Sequence, residues 1–142
     1  MINFHFEDIK PFIVRQKFVR EVLRLLIQNE EKIQGDIQVI FCSDDYLLQM
    51  NINFLKHDYY TDIITFDYGE NDVISGELYI STDRIRENAT TFGTGFKCEL
   101  MRVMMHGVLH LLGYGDKTKT QKKIMRDKEE YYLSKFDIEK VY

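Results

Sequence analysis

The chain has 142 residues, of which 44% are hydrophobic and 30% charged, a composition typical of one globular domain large enough to bury its own core. Its net charge of −4 does not favour a nucleic-acid partner, although overall charge can hide a local basic patch. No apolar run reaches membrane-spanning length, and the N-terminal segment lacks the apolar region of a signal peptide. We therefore expect a cytoplasmic protein with no membrane partner and one domain over residues 1–142, with Cys42 and Cys98 as reduced thiols.

The first half of the chain switches between the periodicities of strands and helices. The predicted elements are a strand (antiparallel or edge), a helix, a strand and a helix, over residues 2–6, 15–32, 37–43 and 44–50. Gly35 follows the first helix, where glycine often ends a helix. Ser43 or Asp44 is the expected N-cap of the second helix.

The second half predicts two strands followed by three helices, over residues 62–68, 74–81, 83–92, 96–113 and 119–136. The strands are joined by the turn-rich loop GEND, and Ser81 or Thr82 caps the next helix. Thr118 and Gln121 have the spacing of a capping box. Strands and helices are interspersed without strict alternation, which predicts an α+β fold with a small mixed sheet and packed helices.

The segment HGVLHLLGYGD, residues 106–116, has the spacing of a metal site. His106 and His110 lie one helical turn apart on one face, and Gly113 can end the helix so that Asp116 returns as a third ligand. Zinc accepts this ligand set. The alternative is a buried helix whose two histidines are hydrogen-bonded. Gly107 occupies the position of the catalytic glutamate of HExxH metallopeptidases, which disfavours that mechanism.

The same segment resembles the signature HGxLHLxGYDH of the YbeY family of bacterial endoribonucleases, whose three histidines bind zinc. The matching residues are His106, Gly107, Leu109, His110, Leu111, Gly113 and Tyr114. NINFLKHDYYTDIITF, residues 51–66, is similar to the family block NxxYRxKDKPTDVLSF, and SGEL, residues 75–78, to the block LGDI. Glu99 matches a family glutamate seven residues before the first histidine.

This resemblance implies a metallohydrolase-like domain that cuts single-stranded RNA. The implied roles are rRNA maturation, including processing of the 16S rRNA 3′ end, and ribosome quality control, with rRNA and the small ribosomal subunit as partners. The implied cofactor is one zinc ion per chain on His106, His110 and Asp116. Because Asp116 replaces the family's third histidine with a carboxylate, manganese or another divalent ion becomes an alternative to zinc.

Two further family positions differ in this chain. Leu55 replaces an arginine, and the neighbouring Lys56 offers a charge without the planar fork of a guanidinium. Glu77 replaces the aspartate of LGDI and is the candidate for orienting the attacking water; its alternative is a carboxylate facing solvent. Lys56 and Glu77 are therefore the catalytic candidates besides the metal ligands.

A basic cluster begins directly after Asp116. Its members are Lys117, Lys119, Lys122, Lys123, Arg126 and Lys128, and the first five are the predicted RNA-binding residues. We expect these side chains either to bind the RNA backbone or to form a helix face that only contacts solvent. Tyr59 and Tyr60 stack a base or pack internally. Two other functions remain as alternatives: a metal-binding ribosome-assembly module with weak or no catalysis, and a metallopeptidase-like hydrolase.

Overall fold

The computed structural model describes residues 1–136, which contain four strands and five helices. In chain order they are β1 (Ile2–Phe6), α1 (Gln16–Asn29), β2 (Ile33–Cys42), α2 (Asp44–Leu55), β3 (Ile63–Asp67), β4 (Val73–Ser81), α3 (Thr82–Phe92), α4 (Phe96–Leu111) and α5 (Lys119–Lys135). Residues 137–142 of the predicted domain lie outside the described residues.

The strands form one mixed sheet in the order β1-β2-β4-β3. β1 and β4 each pair with β2 in parallel, whereas β3 and β4 form an antiparallel hairpin. The prediction of an α+β fold with a small mixed sheet is confirmed. β1 is an edge strand, as one of the two predicted options had it, and its pairing is parallel.

The two faces of the sheet are covered by different helices. On one face Leu78 and Ile80 of β4 belong to the main core, together with apolar residues of α1, α3, α4 and α5. On the other face Tyr79 packs with Leu47 of α2 in a smaller cluster. Because successive residues of a strand point to opposite faces, side chains on either side of Leu78 lie on the α2 face.

The predicted first helix is too long. It ends at Asn29 instead of Lys32, because Glu31 adopts a left-handed conformation, with φ 63°, and turns the chain into β2. Gly35 lies inside β2 rather than just past the helix. A β-carbon on Gly35 would lie 2.1 Å from Ser75 Oγ, so this glycine allows β2 and β4 to approach closely.

The predicted helix starts agree with the structure. The Ser43 and Ser81 hydroxyls accept hydrogen bonds from the backbone N–H groups of Tyr46 and Arg84, as N-caps do. Thr118 and Gln121 form the predicted capping box. Both cysteines are free thiols, and no helix within residues 1–136 is long and apolar enough to cross a membrane.

Candidate metal centre

Helix α4 carries both histidines and packs closely on the sheet. Gly107 faces β3 and β4, where a β-carbon would lie 2.7 Å from Ile63 Cδ1 and 3.0 Å from the Leu78 side chain. This glycine therefore serves the packing of α4 on the sheet. His106 and His110 lie at the edge of the same helix, with 21% and 23% of their side-chain surface exposed.

His106, His110 and Asp116 converge on one point. The Nε2 atoms of the two histidines are 2.9 Å apart, and Asp116 Oδ2 lies 3.3 Å from each of them. A tetrahedral zinc ion with bonds of about 2.1 Å separates its ligand atoms by roughly 3.4 Å. The three atoms are thus spaced like the ligands of one small cation, and within residues 1–136 they are the group of three that could hold a metal ion.

The other ring nitrogen of each histidine faces a hydrogen-bond acceptor. His106 Nδ1 lies 2.6 Å from Glu129 Oε2, and His110 Nδ1 lies 2.9 Å from the carbonyl oxygen of Tyr114. A neutral imidazole that donates through Nδ1 has its lone pair on Nε2. Two such lone pairs repel each other at 2.9 Å, so the site is complete only with a cation or a proton between them.

The charges around His106 favour a cation. Burial alone lowers the pKa of His106, but the hydrogen bond and charge of Glu129, with the charges of Asp62 and Asp116, raise it above its ordinary value of 6.5. Asp62 is itself partly buried, and burial raises the pKa of its carboxyl. The carboxylates that stabilise a proton on His106 stabilise a divalent ion at the same place.

Glu129 belongs to a partly buried ion-pair cluster around Arg102. The guanidinium contacts Glu129 Oε1 at 3.3 Å, Glu130 Oε1 at 3.0 Å and Glu99 Oε2 at 3.7 Å. Glu99 and Glu129 are buried, whereas the Glu130 side chain is exposed. Arg102 thereby holds Glu129 in the position from which it contacts His106.

Tyr114 is held by a second polar cluster, which joins α1, α5 and the loop after α4. Its hydroxyl donates to Glu30 Oε1 at 2.5 Å, and Tyr132 donates to the other oxygen of Glu30. Lys128 Nζ lies 3.0 Å from Glu30 Oε2. Burial tends to raise the pKa of Glu30, but these hydrogen bonds and the Lys128 charge outweigh it and lower that pKa.

Two cavities adjoin the triad, and Asp62, His106 and Asp116 line both. One, of about 240 Å³, lies toward α5, and its charged lining includes Arg102, Lys122, Arg126 and Glu129. We call it the α5-side cavity. The other, of about 350 Å³, lies toward the segment between α2 and β3, and its lining includes Asn51, Leu55, His57, Tyr59 and Lys117. We call it the loop-side cavity.

The structure divides the predicted basic cluster. Lys122 and Arg126 line the α5-side cavity, and Lys117 lines the loop-side cavity. Lys119 and Lys123 are exposed and line neither; Lys123 pairs with Asp127 at 2.8 Å. Three of the five predicted RNA-binding residues are therefore brought to the triad.

The structure does not bring Glu77 and Lys56 to the triad. Leu78 contacts α4, so its neighbour Glu77 lies on the α2 face of the sheet, where Tyr68 donates a hydrogen bond to it at 2.9 Å. Lys56 is exposed at the end of α2 and lines neither cavity. Their catalytic roles stay predictions without a contact to the site.

Sequence reasoning missed three residues around the metal site. Glu129 lies 23 residues from His106, and only its place four residues after the buried Met125 on α5 hints that it faces inward. Asp62 belongs to a matched family block, although the sequence suggests no role for it. Tyr114 contributes its backbone carbonyl, which carries no residue-specific signal.

Comparisons with known proteins identify the family of this chain. The family model described as endoribonuclease YbeY matches residues 5–137. The chain is 44% identical to the endoribonuclease YbeY of Christiangramia forsetii over 139 residues, covering 97% of this chain and 96% of the relative. It is 47% identical to that of Cytophaga hutchinsonii over 133 residues, covering 92% and 93%.

A solved structure shows the same fold. The solution structure of TM1509 from Thermotoga maritima matches with a TM-score of 0.67 and 31% sequence identity, covering 94% of this chain and 87% of that chain. The chain belongs to the endoribonuclease YbeY family. The predicted family and enzyme class, a hydrolase of RNA, are confirmed at the level of this family.

Proposed function

We propose that the protein is a metal-dependent endoribonuclease that cuts single-stranded RNA at the His106–His110–Asp116 triad. The observation that carries the proposal is the convergence of three donor atoms that lie 2.9 to 3.3 Å apart, with the other ring nitrogen of each histidine facing a hydrogen-bond acceptor. Family membership supplies the reaction class.

The residues of the triad fit one zinc ion per chain. Two imidazole nitrogens and one carboxylate oxygen form a set of three protein ligands, the number found in catalytic zinc sites that keep a position open for water or substrate. Such an ion supplies Lewis acidity toward a phosphate oxygen and activates water near neutral pH. The carboxylate of Asp116 makes the set harder, so manganese is the second candidate.

The side chains around the triad have separate roles in this proposal. Lys122 and Arg126 line the α5-side cavity and form no ion pair within residues 1–136, which supports assigning to them the binding of the RNA phosphates. These two residues supply positive charge near the triad. Leu55, which stands at the position of the family arginine, supplies none. Asp62 lines both cavities with a raised pKa, which suits a group that accepts a proton from the attacking water.

We further propose the family's biological setting for this chain: a cytoplasmic role in rRNA maturation, with the 16S rRNA 3′ end and the small ribosomal subunit as targets. The relatives' names support an endoribonuclease, and the resemblance of the histidine segment supports the rRNA substrate.

Metal content and RNA cleavage, measured on the untagged protein, test the proposal together. We expect about one equivalent of zinc or manganese per chain by elemental mass spectrometry, and cleavage of a single-stranded RNA that stops when a chelator removes the ion. His110→Ala should lose both properties. His5→Ala, a substitution of an exposed histidine on β1, should retain both. A folded, metal-free protein, or cleavage that survives His110→Ala, would contradict the proposal.

Asp62 and Glu77 can be compared directly as proton acceptors. Asp62→Asn should lower kcat by about 100-fold or more, within the range for loss of a general base, whereas Glu77→Gln should change kcat little. Both variants should keep the bound metal. A large loss of kcat only in Glu77→Gln would favour the prediction made from the sequence.

One observation favours a second function, a ribosome-assembly module with weak catalysis: Leu55 lines the loop-side cavity at the position of the family arginine. Asp116→Ala distinguishes the two functions. If the protein acts by cleavage, the variant should fail to mature rRNA while still associating with ribosomes. If it acts by binding, maturation should persist in the variant.

A further inference from the structure

The loop between α2 and β3 is fixed in shape by one buried residue, Asn51. Its side-chain Nδ2 donates to the carbonyl oxygen of Tyr59 at 2.8 Å, and its backbone carbonyl oxygen accepts from the His57 N–H at 3.0 Å. Lys56, between them in the chain, takes the left-handed conformation, with φ 58°, that ends α2. The loop therefore presents His57 and Tyr59 in a defined arrangement although both are exposed.

His57 and Tyr59 form a stacked aromatic pair. Their ring centroids are 5.1 Å apart with an angle of 19° between the planes, and the Tyr59 hydroxyl lies 2.9 Å from His57 Nδ1. Both line the loop-side cavity, which His106, His110 and Asp116 also line. With 55% of its surface exposed, Tyr59 has aromatic surface free to contact a ligand.

The adjacent Tyr60 has a similar exposure, 50%, but its contacts differ. Its hydroxyl donates to Asp45 Oδ1 at 3.3 Å, and the Arg84 guanidinium lies over its ring, 5.4 Å from the centroid. Tyr60 lines neither cavity. Like Tyr59, Tyr60 has a hydrogen-bonded hydroxyl and one ring face covered by a neighbour. Because it lies outside both cavities, Tyr60 is a matched control for Tyr59.

We propose that the His57–Tyr59 pair is a stacking platform for one unpaired nucleobase, next to the phosphate held at the metal centre. The inference rests on the proposed function. Aromatic side chains bind bases of any sequence by stacking, provided that the base is free of its own helix. Lys117 lines the same cavity and can neutralise the adjoining phosphate. The platform would therefore select single-stranded RNA without reading its sequence.

The test uses the metal-loaded protein and short single-stranded RNAs that carry 2-aminopurine, a base whose fluorescence falls when it stacks. Each RNA carries this base at a different position flanking the cleaved bond. We expect quenching at one position with the wild-type protein and with Tyr59→Phe. Tyr59→Leu should lose the quenching and raise KM by about tenfold, with a smaller change in kcat, since one stacked base contributes about that factor. Tyr60→Leu should resemble the wild type in both measurements.

An abasic nucleotide at the quenched position provides a second measurement, whose result with the wild-type protein does not depend on the folding of any variant. It should weaken binding to the wild-type protein by about tenfold and leave binding to Tyr59→Leu unchanged. If the wild-type protein cleaves RNA but Tyr59→Leu and the abasic RNA behave normally, the platform is wrong and the proposed function stands. If the metal-loaded protein binds no RNA, both are wrong.

Discussion

The two histidines of the metal centre are held by different kinds of partner. His106 contacts a carboxylate, Glu129, that comes from α5, 23 residues away and is paired with Arg102. His110 contacts a backbone carbonyl only four residues away, that of Tyr114, in the loop that also carries Asp116. One ligand thus depends on the packing of two helices, and the other on the local course of the chain.

This difference has an electrostatic consequence. A carboxylate that accepts from Nδ1 increases the electron density at the ligating Nε2 more than a neutral carbonyl does, and it raises the pKa of His106 against the effect of burial. We therefore expect the zinc affinity to fall more when the partner of His106 is removed than when the loop beside His110 is changed. Three substitutions test this order, beginning with the largest effect.

Glu129→Ala should lower the affinity for zinc by about 10- to 100-fold, the usual cost of removing a carboxylate that supports a metal-bound histidine. The substitution leaves His106 Nδ1 without its acceptor and leaves Arg102 with fewer buried partners. Competition of the metal-loaded protein with a chromogenic chelator measures the affinity.

Glu130→Ala is the matched control for Glu129→Ala. Glu130 also pairs with Arg102, but its side chain is exposed and it contacts neither histidine. The Glu130→Ala variant should keep the metal affinity of the wild type. Equal losses in the two variants would show that Arg102 pairing, rather than the contact with His106, determines the affinity.

Gly113→Ala should disturb the His110 side of the centre. Gly113 has φ 104°, a conformation that costs other residues about 1 kcal/mol or more, and it precedes Tyr114. We expect a loss of stability of that size and a several-fold weaker zinc affinity.

Gly93→Ala is the control for Gly113→Ala, because Gly93 also has a positive φ, 68°, and open space around it. It should lose stability at constant metal affinity in chelator and urea titrations. A larger affinity loss in Gly113→Ala than in Glu129→Ala would reverse the order.

The same distinction between local and distant contacts explains what the sequence could predict. The convergence of His106, His110 and Asp116 depends on one helix and one turn. The sequence therefore predicts correctly that these three residues form a group. Glu129 reaches His106 only because α5 packs on α4, a tertiary contact that no local pattern records. Glu77 illustrates the converse: a one-residue offset from Leu78 places it on the other face of the sheet, and the sequence alone does not tell which face carries the site.

Glu30→Gln should have the smallest effect on the metal and a pH-dependent effect on stability. Glu30 supports Tyr114 through the tyrosine hydroxyl, whereas His110 contacts the backbone of Tyr114, so we expect at most a few-fold change in zinc affinity. Replacing a partly buried carboxylate that accepts hydrogen bonds from three donors, Tyr114, Tyr132 and Lys128, should cost about 1–3 kcal/mol at pH 7.

The sign of the pH dependence follows from the lowered pKa of Glu30. An acid whose folded pKa lies below its ordinary value, here 4.5, contributes stability in full above that value and loses it as the pH falls through the folded pKa. Urea unfolding between pH 7 and pH 3 should therefore show the wild type and Glu30→Gln converging in acid. Glu31→Gln, which removes the same charge from an exposed neighbour, should remain close to the wild type throughout. A stability difference for Glu30→Gln that persists unchanged to pH 3 would mean that the carboxylate charge is not what holds Tyr114, and that the loop beside His110 depends on packing alone.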